Sequence, residues 1–165
     1  MYSSVMAPES VTDPEWLTED EQRAWRAQVG LTILLYRQLD RDLAPFGLSV
    51  SDYEILVALS EAPERRLRMT ELADAITQSR SRLSHQITRM ETRGLVRRDA
   101  CEGDKRGMFA VLTPEGLATI EQVAPAHVES VRRHYMDWLS PAQMAAITEA
   151  HEPIVARLRK IRSRD

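Results

Sequence analysis

Apolar residues return every three or four positions along most of the chain, and this rhythm predicts helices separated by short breaks. Trp25, Val29, Thr32, Tyr36, Leu39 and Leu43 set out the first and longest of them, from about residue 19 to Leu43. Thr18 and Glu21 have the hydroxyl-then-carboxylate spacing of a capping box, and Pro45 and Gly47 end the helix. Leu31, Leu34 and Leu35 widen its apolar face beyond one stripe, which predicts burial on two sides, one of them against a partner subunit. A second helix starts at Ser49 or Ser51, turns Tyr53, Leu56 and Val57 inward and stops near Pro63. Leu67 and Arg68 have room for a very short strand. A third helix runs from Met69 to Ile76, and a fourth is capped by Ser79 and runs to Arg93, with Leu83, Ile87 and Met90 inward. Gly94 suits the left-handed residue that closes a helix.

Beyond Gly94 the period changes. Leu95 to Arg98 reads as a strand, CEGDKRG as a turn and Met108 to Leu112 as a returning strand, together a β-hairpin. Thr113 and Pro114 open another helix, expected to reach about Leu139 and to bend at Pro125. Ser140 to Gln143 is a capping-box start for a last helix with Met144, Ile147, Ile154, Leu158 and Ile161, kinked at Pro153. Residues 1–14 carry Ser and Pro without periodicity and read as a loose arm. The resulting division is an N-terminal dimerisation helix at 15–47, a middle domain at 48–112 and C-terminal dimerisation helices at 113–165.

Composition changes this picture little; charge changes it a good deal. The chain has 165 residues, 43% of them apolar, and no apolar run near the ~20 residues of a membrane span. The acidic N-terminal stretch does not read as a secretory leader, and one cysteine, Cys101, leaves no pair for an internal disulfide, so the expected location is the cytoplasm. Formal net charge is −3, yet residues 77–98 hold six arginines against the single acid Glu91, leaving −8 on the remainder. A cationic patch on an acidic body points to a polyanion.

Two short helices joined by a tight turn and followed by a basic hairpin form a winged helix-turn-helix. The major groove of duplex DNA is ~12 Å wide and admits one helix, whose outward side chains must be polar. With Leu83, Ile87 and Met90 inward, Ser81, Arg82, Ser84, His85, Gln86, Thr88 and Arg89 take the other faces, beside Ser79 and Arg80 at the N-terminal end. Arginine forks to guanine, and the hydroxyls, His85 and Gln86 offer shorter contacts, so direct readout is expected from Arg82, His85 and Arg89. The hairpin tip bears Lys105 and Arg106 as DNA contacts, and Arg106 suits the narrow, strongly negative minor groove, with Asp104 close enough to hold it.

Residues 67–116 resemble the MarR family of bacterial transcription regulators. The likeness rests on LRMTELADAI, SRSRLSHQITRMETRGLVRR and DKRGMFAVLTPEG, in which Leu72-Ala73, Arg93 to Val96, Asp104-x-Arg106 and Leu112-Thr113-x-x-Gly116 follow the family's order and spacing. It implies a homodimer with intertwined first and last helices, each subunit presenting one winged helix to half of a pseudo-palindromic operator. The chain departs from the pattern at three places. Arg68 replaces the usual hydroxyl cap of the third helix, Thr77 stands where a turn glycine is expected, and Arg80 stands where proline is frequent.

Many relatives of this kind release DNA on binding a small aromatic acid or phenol between the dimer helices and the DNA-binding lobe. Trp16, Trp25, Tyr36, Arg37, Arg41 and Tyr53 are candidates to line such a site here, an arginine beside aromatics suiting a carboxylate. Helical spacing alone also explains these aromatics as core or dimer interface. Redox sensing through Cys101 is weaker, since Glu102 and Asp104 blunt the thiol, which reads as an incidental surface group. His127, His134 and His151 do not gather on one turn, so no metal site or other cofactor is expected. The sequence carries no phosphate loop, H-E-x-x-H or G-x-S-x-G, hence no enzyme signature.

The expectation is a mainly α-helical winged helix-turn-helix with a small β-hairpin wing, flanked by long dimerisation helices. It is expected to bind duplex DNA as a homodimeric repressor, released by a small aromatic effector and without a membrane. The rival is a helical scaffold whose basic segment meets acidic protein partners.

Overall fold

The computed structural model describes residues 15–101 and 104–162, the side chains of residues 104–106 and 162 excepted. The arm expected at 1–14 and the tip of the hairpin lie outside the described residues. In chain order the elements are α1 (Glu19–Leu43), α2 (Val50–Glu61), β1 (Arg66–Arg68), α3 (Met69–Ala75), α4 (Arg80–Thr92), β2 (Val96–Cys101), β3 (Asp104–Leu112), α5 (Pro114–His134) and α6 (Pro141–Arg162). Single 3₁₀ turns at Ala44–Phe46, Pro63–Arg65 and Met136–Trp138 join some of them. No single helix among the described residues is long and apolar enough to cross a membrane.

The residues group into two compact units, divided within α1 between Leu34 and Leu35. In the first unit no described residue is buried. Its helix start is secured locally: the Thr18 amide donates to Glu21 Oε2 at 2.7 Å and the Glu21 amide donates to Thr18 Oγ1 at 3.3 Å, the capping box the spacing anticipates.

The second unit holds the core. Leu43, Ile55, Leu56, Leu59, Leu72, Leu83, Ile87, Met90, Val96 and Val123 are its largest fully enclosed side chains, each stabilising by about 1.5–3 kcal/mol. They come from α1, α2, α3, α4, β2 and α5, so α4 is bolted to one apolar cluster. Asp42 ties the end of α1 to α5. It accepts from Ser130 Oγ at 2.5 Å and from Gln38, and pairs with His134 Nε2 at 3.0 Å, and these contacts, Ser130 foremost, hold its carboxyl below the usual carboxylate range.

The hairpin has a third strand. Order in the antiparallel sheet is β1-β3-β2, with Leu67 opposite Ala110 and Arg98 also opposite Ala110 from the other side. β3 begins at Asp104 rather than Met108, so Lys105 and Arg106 are strand residues by backbone; the register slips between Ala100 and Cys101, which admits the earlier start. Thr113 and Gly116 lock the sheet to α5. Thr113 Oγ1 donates to the Gly94 carbonyl at 2.6 Å and accepts from the Gly116 amide at 3.0 Å. A Cβ on Gly116 would sit 2.1 Å from the Leu95 carbonyl oxygen, which is why the Leu-Thr-x-x-Gly motif ends in glycine. Helix α5 continues through Pro125 but ends at His134, short of the expected Leu139; Tyr135, at φ −142° and ψ −62°, leaves helical geometry and a 3₁₀ turn follows.

Candidate nucleic-acid interface

Two turns set the fourth helix in place. Asp52 anchors α2 through a capping box with Ser49, its Oδ2 accepting from the Ser49 amide at 3.0 Å. At the start of α3, where Arg68 offers no acceptor, only half of such a box remains: Glu71 reaches back to the Arg68 amide at 3.1 Å. The α3–α4 turn carries Thr77 at φ +57°, the left-handed conformation that favours glycine, so a β-branched residue holds a position suited to glycine. Ser79 then caps α4, its Oγ accepting from the Arg82 amide at 3.3 Å. Gly94, at φ +72°, closes the helix.

Four residues of α4 are buried: Leu83, Ile87, Met90 and Gln86. The last corrects the sequence reading. Gln86 is only 3% exposed, with its Nε2 donating to Asp52 Oδ1 at 3.0 Å, so it is a core-side anchor to α2 and not a groove contact. At 100° per residue these four positions define the inward direction, and Ser81, His85 and Thr88 stand opposite it. Arg82 and Arg89 emerge on one flank, toward α1 and α2; Arg80 and Ser84 emerge on the other, toward the wing. All of these side chains are exposed.

Glu91, the acid that interrupts the arginine run, is taken up by a residue missed in the sequence reading. Arg98 of β2 donates to Glu91 from its amide at 3.0 Å and from its guanidinium at 2.6 Å. Its other terminal nitrogen donates to the Ser84 carbonyl at 2.8 Å and Thr88 Oγ1 at 3.0 Å. One guanidinium thus brackets two turns of α4 and neutralises the acid that α4 itself carries. A lone acid seven positions before an arginine was the available signal; that strand pairing would bring them together was not.

The candidate ligand residues separate. Trp16 and Trp25, 79% and 62% exposed, belong to the first unit. Tyr53, 9% exposed, is part of the core, its ring 4.1 Å from that of His127; inward facing on α2 explains it, against the expectation of a site-lining role. Arg37 and Arg41 are exposed on α1. Tyr36 meets the exposed cationic flank of α4. It lines a cleft of about 600 Å³ with Ser51, Glu54, Gln78, Arg82 and Arg159, and an adjoining one of about 490 Å³ with Asp40, Arg82, His85 and Arg89. The Tyr36 hydroxyl donates to Glu54 Oε1 at 3.3 Å, and burial raises the Glu54 carboxyl above the usual range, opposed by that bond.

Cys101, expected at the surface, is 6% exposed, being turned inward at the end of β2. The side chains of Asp104, Lys105 and Arg106 lie outside the described residues. Among the described residues no three His, Cys, Asp or Glu side chains converge as metal ligands.

A family profile described as MarR family matches residues 46–107, which span α2 to the wing. The chain is similar to the crystal structure of AbsC, a MarR family transcriptional regulator from Streptomyces coelicolor, at 55% identity and TM-score 0.85, over 89% of this chain and 99% of that one. It is also similar to Sco3205, a MarR family regulator from the same organism crystallised in complex with DNA, at 44% identity and TM-score 0.84, over 87% and 90%. The HTH-type transcriptional regulator PecS of Dickeya dadantii is 34% identical over 113 residues, which span 67% of this chain and 65% of PecS. A buried stripe and an exposed cationic face on one helix, a wing clamped behind it and these likenesses agree: the chain belongs to the MarR family of transcriptional regulators, not to a family of enzymes.

Proposed function

We propose that the protein is a sequence-specific duplex-DNA-binding repressor, acting in the cytoplasm as a homodimer that places one α4 helix in each of two successive major grooves. The observation that carries this reading is the face of α4 opposite its buried stripe: Ser81, His85 and Thr88 at the crest and Arg82 and Arg89 beside it are exposed, and the adjacent acid is held by Arg98. Hydroxyls, an imidazole and forked guanidinium groups are the chemistry that reads base edges. Occupying promoter DNA is the simplest way for such a dimer to repress. In this reading residues 48–112 bind DNA, while α1, α5 and α6 join the subunits.

A small aromatic acid is the effector that the cleft beside Tyr36 suits best. Tyr36 supplies a ring face, and Arg82 and Arg159 supply cationic partners for a carboxylate. Because Arg82 also belongs to the DNA-facing flank, a ligand pairing with it competes directly with base contact.

A mobility-shift titration on the gene's own upstream region tests both parts. The wild-type protein should retard that duplex in preference to unrelated DNA, and one member of a panel of aromatic acids should relieve the shift. Arg82→Ala should cost about 1–3 kcal/mol on the preferred duplex and relax its base preference. Retardation of no duplex at low salt overturns the DNA reading; binding indifferent to every compound overturns only the effector.

A further inference from the structure

Directional bonds hold α4 on both of its flanks. On the wing side Arg98 takes Glu91 and the Ser84 carbonyl. On the opposite flank Gln86, 3% exposed, donates from Nε2 to Asp52 Oδ1 at 3.0 Å. A carboxylate only accepts, so Asp52 also decides which way the amide turns. Asp52 is itself fixed to Ser49 in both directions, its Oδ2 accepting from the Ser49 amide at 3.0 Å and its own amide donating to Ser49 Oγ at 3.1 Å. The amide of Val50 donates to Asp40 Oδ1 of α1 at 2.7 Å. Gln86 is thereby tied to α1 through the first turn of α2.

Resting on the DNA reading above, we propose that Gln86 is a specificity-determining positioning residue: its bond to Asp52 fixes the roll of α4, and with it the reach of Arg82, His85 and Arg89 to base edges. Gln86 follows Arg82 by four positions and precedes Arg89 by three, so all three share one flank of the helix, and with His85 they line one cleft. Leu83, Ile87 and Met90 hold α4 to the core as well, but apolar contact is non-directional and tolerates small rotations. Arg98 alone would act as a hinge along the wing-side flank. A roll of about 15° moves a side-chain end ~6 Å from the helix axis by ~1.5 Å, well beyond the ~0.5 Å range of hydrogen-bond distances. A forked contact to guanine does not survive such a shift, whereas attraction between an arginine and the DNA backbone does. A methionine of the same length would fill the site of Gln86; what it lacks is direction.

Fluorescence-anisotropy titrations over a salt series, on the preferred duplex and on an unrelated one, test this with Gln86→Met, Asp52→Ala, their combination and Ser49→Ala. Gln86→Met should lower the affinity ratio of the two duplexes by about tenfold, the loss of one forked base contact. The slope of log K against log salt should stay as in wild type, since every arginine is kept. Asp52→Ala removes the same bond from the α2 side and should lower the ratio equally, with no further fall in the double variant. Ser49→Ala weakens the cap of α2 but spares the Gln86 bond, so it should lower the thermal midpoint by ~2–4 °C and leave the ratio unchanged. A folded Gln86→Met protein with the wild-type ratio overturns the assignment, as do additive falls in the double variant. A Ser49→Ala ratio that falls as far as that of Gln86→Met also overturns it, because general loosening then suffices. Wild-type protein that binds neither duplex overturns the DNA reading itself, and this inference with it.

Discussion

Thr77 shows how one residue carries a cost imposed by a turn. Its φ of +57° brings Cβ toward the following carbonyl, which costs a non-glycine residue ~1–2 kcal/mol. The turn is needed because α3 and α4 must both deliver leucines to the same core, Leu72 from one and Leu83 from the other. Thr77→Gly should therefore raise stability by about 1 kcal/mol, moving the thermal midpoint up by ~2–4 °C, whereas Thr77→Ala should bring no such gain. Thermal unfolding followed by circular dichroism measures it, and equal midpoints for the Gly and Ala variants would remove the strain argument. Gln86 makes the complementary point. It lies at the margin of the apolar stripe, where periodicity cannot distinguish a polar side chain reaching out from one reaching in. Asp52, thirty-four positions earlier, decides the matter by offering an acceptor.

At the scale of elements, α4 and the β-hairpin act as one piece because Arg98 joins them. Its guanidinium makes one charged pair and two further hydrogen bonds across the α4–β2 junction, and hydrogen bonds to charged groups contribute ~1.5–3 kcal/mol each at most. Arg98→Ala should lower unfolding free energy by about 2–4 kcal/mol, since it also leaves Glu91 beside the helix without its cation. Arg98→Lys should recover only part, because an ammonium replaces the Glu91 pair but not the fork. Urea denaturation of the two variants reads this ordering, and a Lys variant as stable as wild type would mean that charge alone matters. The loss of helical period after Gly94 made β2 legible as a strand. The bracket on α4 was not legible, because it depends on which strand face meets which helix turn.

At the scale of the molecule, the flanking helices carry apolar surface that the single chain leaves uncovered. Among the described residues of α6 none is buried, though Met144, Ile154, Val155, Leu158 and Ile161 line it at helical spacing. In the first unit Trp25, Ile33 and Leu34 are exposed on α1. Patches of this kind on a helix without a core partner mark an interface. Leu158→Asp combined with Ile154→Asp should convert a dimer to monomer in sedimentation velocity. It should also weaken operator binding by orders of magnitude, since each chain then meets only one half-site. A wild-type protein that sediments as a monomer at micromolar concentration would count against the dimer.

The helical rhythm, the caps at Thr18, Ser49, Ser79 and Thr113, the stop at Gly94 and the arginine run are all local. Backbone propensity and side-chain period act over a few residues, so the sequence by itself determined the succession of elements and located the exposed arginine face of α4. The pairing of β1 with β3, the burial of Gln86 and Cys101 and the pairing of Glu91 with Arg98 join positions far apart along the chain. No local pattern encodes such contacts, because each depends on how separate elements pack around one core. Only the tertiary structure decided them.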